Sequence, residues 1–393
     1  MLDYGVFLQE KRAMLIRWMT SRKNMDEDSG IDANEFFLSV IVSVVLLMIL
    51  PNTIGFHLTD PLMRDQSIFI GSRYTITVDA LNTIADDDTI SVIAIGSSMT
   101  YKGIDGRCIG NFLGDDVTAY NLAQPSSKPY TDMQHIPRII STNPDIVMIE
   151  IAPDILSTPS GHHPYIELRY TLDSLYQDKS DLGDWVDIVP SEYRHWIAIN
   201  EFERMGFRQE YVPGAIEERL YRLVLDEDTG RDDGAWGWAP SPGYSSWNDY
   251  IQTPIFPNDI YGLEGFDQKK LDEYTETKLR VSSWASPPAN GTLSHLALEY
   301  EISSLLEADI EIIIITPAYH PEHLKFLEEG QWDGFNETVA TYSQYDGVTI
   351  FDQTWVENTW THEDFYDRNH LDDDGRAKYC ELLIPTISEI LNR

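Results

Sequence analysis

Two short segments near opposite ends of the chain carry residues suited to acyl transfer. The first, Gly96-Ser97-Ser98, is a turn of small residues that follows an apolar run at Ile90–Ile95. The second, Asp367-Arg368-Asn369-His370, precedes a C-terminal segment of helical period. A serine hydroxyl becomes a nucleophile when a histidine takes its proton, and a carboxylate on the other imidazole nitrogen orients that histidine. Ser98, His370 and Asp367 are therefore candidates for a catalytic triad, although Ser98 taken alone better fits a helix N-cap.

Apolar runs along the chain predict the strands that must position these residues. Near-continuous apolar runs are typical of parallel strands buried on both faces, and the helical segments between them are typical of crossover helices. The predicted strands fall at residues 90–95, 117–122, 145–151, 310–315 and 348–351, and the helical segments include 130–142, 293–306 and 375–391. We expect an α/β, doubly wound fold with about five parallel strands. Such sheets bind ligands at the carboxyl ends of their strands, where Ser98 follows the first strand.

In order, spacing and chain position, Gly96-Ser97-Ser98 and Asp367-x-x-His370-Leu371 resemble the blocks of the SGNH/GDSL hydrolase superfamily. The resemblance implies a flavodoxin-like, three-layer α/β sandwich. It also implies that Ser98 is the nucleophile, His370 the general base and Asp367 the orienting acid. Ser97 stands where the family usually has Asp.

The resemblance further implies an oxyanion hole. In the family a Gly N–H follows the second strand and an Asn side chain follows the third, and the nearest matches in this chain are Ala123 and Asp154. Ala123 still offers an N–H, whereas a carboxylate donates only when protonated. The predicted donors are the N–H groups of Ser98 and Ala123, with Asp154 at the third position.

An uncharged run at residues 36–56 predicts a transmembrane helix. About 20 apolar residues at 1.5 Å each span a hydrocarbon core of about 30 Å. Five Lys and Arg residues precede the run and two, Arg64 and Arg73, follow it closely. The positive-inside rule then places residues 1–35 in the cytoplasm and the rest of the chain outside, as a juxtamembrane linker at 57–88 and an external domain at 89–393. The cytoplasmic tail is equally suited to lying on membrane lipid as an amphipathic helix and to being solvated.

The segment between the third and fourth predicted strands, residues 155–292, is too long for one crossover. A structureless loop of that length is improbable inside a compact domain, so we expect a folded, aromatic-rich insertion or cap. Its Trp and Tyr residues fit a cap core better than sugar-stacking faces.

The charge of the chain excludes one class of partner. Against 28 Lys and Arg stand 65 Asp and Glu, which gives a formal net charge of −37. Such a field repels nucleic acid, and it is typical of proteins from salt-loving microbes. Acidic runs such as Asp372-Asp373-Asp374 fit a solvated face or a helix N-terminus better than a calcium loop.

The remaining metal-binding and redox candidates are weak. Cys108 and Cys380 have apolar neighbours, which predicts buried small side chains rather than a disulfide or a reactive thiol. The pairs His162-His163 and His320-x-x-His323 stand beside prolines and lack a clear third ligand, which favours surface or capping roles. We therefore expect no metal and no cofactor.

Anchor, external domain and long insertion together look like the acyl-transfer proteins that decorate cell-surface polymers, such as the DltD and alginate O-acetylation groups. The resemblance implies a serine esterase or O-acyltransferase that moves acyl groups, such as acetyl, on a surface glycan or glycoprotein. Its expected partner is a multi-spanning membrane O-acyltransferase. The alternative is a non-catalytic surface or assembly protein that keeps the fold as a scaffold for a membrane partner.

Overall fold

The structure, a computed structural model, describes a parallel sheet, the helices around it and part of the long insertion. The described residues are 33–50, 77, 81, 84–85, 89–114, 116–124, 127–156, 184–200, 202–203, 206, 292–324, 329–330, 332–354, 356, 359–365 and 370–393. The chain divides into two compact units, Met1–Gly55 and Phe56–Arg393.

The second unit contains a five-stranded sheet. Its strands are β1 (Ile90–Ile95), β2 (Val117–Asn121), β3 (Ile146–Glu150), β4 (Glu311–Ile315) and β5 (Val348–Phe351). The strand order is β2-β1-β3-β4-β5 and every neighbouring pair is parallel. This is the flavodoxin-like order of a doubly wound sheet, so the α/β, parallel-sheet prediction is confirmed.

Successive residues of the central strands enter two different cores because side chains alternate across a sheet. On one face, Ile93, Val147 and Ile312 pack in a core that includes Ile302 of a crossover helix. On the other face, Val92, Ile146 and Ile313 pack in a core that includes Leu383 of the C-terminal helix. Burial on both faces explains why these strands appear in the sequence as nearly continuous apolar runs.

Helices connect the strands and flank the sheet. They are α1 (Ala33–Leu50) in the first unit and, in the second, α2 (Ser98–Gly103), α3 (Gly106–Leu113), α4 (Pro129–Asp132), α5 (Ile136–Ser141), α6 (Pro153–Leu156), α7 (Trp185–Ile188), α8 (Leu293–Glu307), α9 (Pro321–Leu324), α10 (Asp333–Tyr342) and α11 (Asp373–Leu391). The predicted helices at 293–306 and 375–391 correspond to α8 and α11. The predicted helix at 130–142 is instead divided into α4, a 3-10 turn at Met133–His135 and α5. Pro137 accounts for the break because it has no N–H to continue the helical hydrogen bonds.

The packed domain begins before residue 89, where the sequence predicted a linker. Leu81 and Ile84 are buried in the core with Ile93. Part of the insertion also packs on the domain, because Trp185 and Trp196 are buried in a cluster with Tyr130 of α4. The other tryptophans of the insertion lie outside the described residues.

A disulfide bond between Cys108 and Cys380 ties α3 to α11. Their Cα atoms lie 6.4 Å apart although 272 residues separate them in sequence. The prediction of unpaired cysteines was wrong. Apolar neighbours indicate that a cysteine is buried, but they carry no information about which distant residue faces it.

Helix α1 has 18 residues and belongs to the first unit. Its large apolar side chains Phe37 and Leu38 are 69% and 63% exposed. In the described part of the chain, no helix has both the length and the apolar content that crossing a membrane requires. The predicted span of residues 36–56 continues past the described residues at position 51.

Candidate active site

Ser98 is the first residue of α2, immediately after the turn that leaves β1. Ser97 is the N-cap of this helix, and its Oγ accepts a hydrogen bond of 3.2 Å from the Met99 N–H. The capping role considered for Ser98 is therefore filled by its neighbour. The Ser98 hydroxyl remains available for a contact with another element.

That contact is with His370, which stands just before α11. Its Nε2 lies 2.8 Å from Ser98 Oγ, across 272 residues of sequence. Both side chains are half-buried. The structure therefore brings two of the three predicted triad residues together at hydrogen-bond distance. Asp367, the predicted orienting acid, lies within residues 366–369, outside the described residues, so its bond to His370 stays a prediction.

A buried carboxylate anchors the segment that leads to His370. Asp364 Oδ2 accepts hydrogen bonds from Lys378 Nζ at 2.8 Å and from the Thr361 N–H at 2.6 Å. Burial favours a higher pKa for Asp364, but the hydrogen bonds from Lys378 and Thr361 outweigh it and lower that pKa. The Asp364 carbonyl also accepts the Asp372 N–H at 3.1 Å. Because Asp372 caps α11, these bonds fasten both flanks of the His370 segment to the helix.

A second buried carboxylate lies next to the Ser98 turn, and the sequence patterns did not point to it. Glu150 is the last residue of β3 and is 2% exposed. Its Oε2 accepts the N–H groups of Ser97 at 2.7 Å and Thr100 at 3.1 Å, and its Oε1 accepts the Ser97 hydroxyl at 2.8 Å. A single acidic residue ending an otherwise apolar strand was the available signal.

Gly96 makes this approach of Glu150 possible. Its φ is +149°, a conformation that side chains disfavour, and a Cβ at this position would lie 2.5 Å from Glu150 Cβ. Glycine is required here because only a residue without a side chain fits against the glutamate.

Asn121, at the end of β2, holds the opposite end of α2. It is fully buried, and its Nδ2 lies 3.0 Å from the Thr100 carbonyl oxygen and 2.9 Å from that of Ile104. Its Oδ1 accepts the Ala123 N–H at 3.1 Å. The Ala123 N–H, which the sequence predicts as an oxyanion donor, is thus buried and already donates to Asn121.

The amides of the Ser98 turn differ in whether they have an acceptor. Those of Ser97 and Thr100 donate to Glu150, and that of Met99 donates to Ser97 Oγ. Within the described part of the chain, the Ser98 N–H makes no hydrogen bond. It is therefore open to an oxygen atom of a substrate. Asp154, the third predicted oxyanion residue, lies in α6, and its side chain is outside what the structure describes.

The histidines weighed as metal ligands are arranged differently from the prediction. His320 is 1% exposed, and its Nε2 lies 2.8 Å from His362 Nδ1. The predicted surface role was therefore wrong for His320, because the segment after β4 turns inward and packs His320 against Phe365. Among the described residues, no group of three or more His, Cys, Asp and Glu side chains could hold a metal ion. His162, His163 and the side chain of His323 lie outside that part.

Neither the family models nor the curated proteins provide a relative to guide the assignment. No protein-family model matches the chain, and no curated protein is similar to it. Functional inference therefore depends on the geometry around Ser98 and His370.

Proposed function

We propose that this protein is a serine-dependent acyl ester hydrolase or O-acyltransferase of the SGNH type. The observation that carries the proposal is the 2.8 Å contact between His370 Nε2 and Ser98 Oγ. Ser98 lies three residues beyond the carboxyl end of β1, and this edge of a doubly wound sheet is where ligands bind. A nucleophile and a base at hydrogen-bond distance on that edge have the geometry that acyl transfer needs.

In the first half-reaction, Ser98 Oγ attacks the carbonyl carbon of an ester while His370 Nε2 takes the hydroxyl proton. The bond between the carbonyl carbon and the leaving oxygen then breaks, and His370 returns the proton to that oxygen. The products are an alcohol and an ester on Ser98. Nε2 can accept a proton only if the imidazole proton is on Nδ1. The role proposed for Asp367 is to accept a hydrogen bond from Nδ1 and so to keep the proton there.

In the second half-reaction, a hydroxyl group attacks the Ser98 ester as its proton passes to His370. The new bond joins the hydroxyl oxygen to the acyl carbon, the bond to Ser98 Oγ breaks, and Ser98 regains the proton. Water as the acceptor gives hydrolysis, and a sugar hydroxyl gives O-acyl transfer. We propose acyl groups such as acetyl on a surface glycan or glycoprotein, supplied through a multi-spanning membrane O-acyltransferase.

The charge that develops on the carbonyl oxygen needs donors. The Ser98 N–H is the first, because it lacks an acceptor in the described part of the chain. The Ala123 N–H serves as the second if it exchanges Asn121 Oδ1 for the substrate oxygen. A protonated Asp154 would be the third.

Two observations support a location outside the cell membrane, anchored by residues 36–56. The Cys108–Cys380 disulfide is of the kind that persists in oxidising compartments. Helix α1 also exposes large apolar side chains such as Phe37 and Leu38. The excess of acidic residues, most of which follow residue 56, then solvates the external domain.

The proposal is tested by labelling the full-length protein with a fluorophosphonate probe in high salt. Wild type should be labelled and Ser98→Ala should not, because the probe reacts with an activated serine. His370→Ala should be labelled about 10²-fold more slowly or worse, because general-base catalysis contributes on that order. Ser303→Ala removes a half-buried serine hydroxyl on α8 and should be labelled like wild type. A wild-type protein that is folded and unlabelled would contradict the proposal and favour the non-catalytic scaffold.

A further inference from the structure

Glu150 is a buried carboxylate that accepts hydrogen bonds from the turn that carries Ser98. It accepts two backbone N–H groups and one hydroxyl, from Ser97 and Thr100. A carboxylate out of water is costly unless donors surround it, and bonds to a charged acceptor are the stronger kind. These donors compensate the burial of Glu150, and in return the residues on both sides of Ser98 are fixed in position.

The distribution of those bonds also decides which amide can meet a substrate. With the Ser97 and Thr100 N–H groups bound to Glu150, and the Met99 N–H bound to Ser97 Oγ, the Ser98 N–H is the one amide among residues 97–100 that has no acceptor in the described part of the chain. The atom that attacks and the amide that would receive the developing charge thus belong to one residue. A small rotation of this turn would misplace both at once.

We infer that Glu150 is a positioning residue, which holds Ser98 Oγ against His370 and reserves the Ser98 N–H for the oxyanion. Glu150 acts through Ser97 and Thr100. The inference rests on the proposed function, since it assigns a task within the same site. Asn121 complements it by holding the other end of α2.

The test compares three substitutions in the full-length protein. Glu150→Ala removes every bond to the turn. Glu150→Gln keeps the shape, because its amide oxygen can accept both N–H groups while its NH₂ donates to Ser97 Oγ. Glu301→Gln is the matched control, because Glu301 is an equally buried glutamate on α8, remote in sequence from the Ser98 turn.

Two kinetic measurements are made on each variant: the fluorophosphonate labelling rate, and kcat and KM on p-nitrophenyl acetate. Glu150→Ala should lower kcat and the labelling rate about 10²-fold, as expected when a nucleophile is misplaced by about 1 Å. KM should change less than about threefold, because the residue does not touch the substrate. Glu150→Gln should recover most of the loss, and Glu301→Gln should match wild type.

A third measurement, amide hydrogen exchange of the peptide containing residues 96–101, follows the turn without relying on activity. Exchange should quicken in Glu150→Ala and stay unchanged in Glu301→Gln. Wild-type kinetics and exchange in Glu150→Ala would overturn the inference, and so would a Glu150→Gln variant as slow as Glu150→Ala.

Two further outcomes remain interpretable. If Glu150→Ala does not fold, Glu150→Asp retracts the carboxylate by one methylene, and it should slow labelling and loosen the turn, whereas wild-type values would overturn the inference. If wild type is itself unlabelled, the proposed function fails. The exchange measurement then still shows whether Glu150 holds the turn.

Discussion

Two buried glutamates, Glu150 and Glu301, differ in the hydrogen bonds that accompany their burial. Glu150 is 2% exposed and its oxygens accept hydrogen bonds from Ser97 and Thr100. Glu301 is fully buried on α8, and within the described residues neither of its oxygens has a hydrogen-bond partner. The difference lies in the donors that surround each carboxylate.

The presence or absence of hydrogen-bond donors decides what burial does to each carboxyl group. Glu150 accepts two backbone N–H groups and one hydroxyl group. Burial without donors, and then the nearby charge of Asp132, raise the pKa of Glu301 well above its usual range. Glu150 thus organises its neighbours, while Glu301 makes stability depend on pH. Hydrogen-bond donors, more than the extent of burial, distinguish a carboxylate that positions its neighbours from one that makes stability fall as pH rises.

The largest effect is expected for Gly96→Ala, at the position where Glu150 packs against the backbone of the Ser98 turn. The new Cβ would lie 2.5 Å from Glu150 Cβ and 2.6 Å from its Oε2, at a φ of +149°. Overpacking and backbone strain together should cost about 2–5 kcal/mol of unfolding free energy, measured by urea denaturation. Labelling of Ser98 should fall with it, because the clash displaces the turn.

Gly114→Ala is the control for the strain alone. Gly114 also has a positive φ, +107°, but a Cβ there would meet nothing within 4 Å. It should therefore be the less destabilised variant and should label normally. Equal destabilisation of the two variants would show that the contact with Glu150 contributes nothing.

The next effect, confined to higher pH, is expected for Glu301→Gln. The folded-state pKa of Glu301 is raised, so the folded protein keeps this proton at pH values where the unfolded chain has lost it. Wild-type stability should therefore decline as pH rises above about 4.5, by about 1.4 kcal/mol per pH unit, until the folded-state pKa is passed. The Gln variant lacks this decline.

Urea denaturation of both proteins at a series of pH values measures the difference. The two curves should coincide at pH 4, and the Gln variant should become the more stable one toward neutral pH. Curves that stay parallel throughout would mean that Glu301 is ionised in the folded protein.

A feature of the fold or of the site can be predicted from the sequence when its own residues carry a local pattern. The strands could be predicted within one or two residues, because burial on both faces leaves an apolar run in the sequence of each. Ser98 and His370 could be paired from the chemistry of the two residues and from the resemblance of their segments to the SGNH/GDSL blocks, although 272 residues separate them. Glu150 could not be assigned in the same way, since its partners belong to another strand's turn. The Cys108–Cys380 bond was missed for the same reason.

The smallest effect is expected for Ser97→Ala, which removes one of the donors that distinguish Glu150 from Glu301. The Ser97 hydroxyl both donates to Glu150 Oε1 and accepts the Met99 N–H. Its loss should cost about 1 kcal/mol, the usual value for an N-cap, because the two backbone bonds to Glu150 remain. Labelling of Ser98 should slow by less than about tenfold, as those two bonds still hold the turn.

Thr292→Ala separates capping from positioning in that last comparison. Thr292 is the N-cap of α8, where its Oγ1 accepts the His295 N–H at 3.2 Å, as Ser97 does for Met99. It should lose a similar free energy of unfolding and keep the wild-type labelling rate. If both variants label at the wild-type rate, the Ser97 hydroxyl caps α2 without positioning Ser98, and the two backbone bonds carry the whole effect of Glu150.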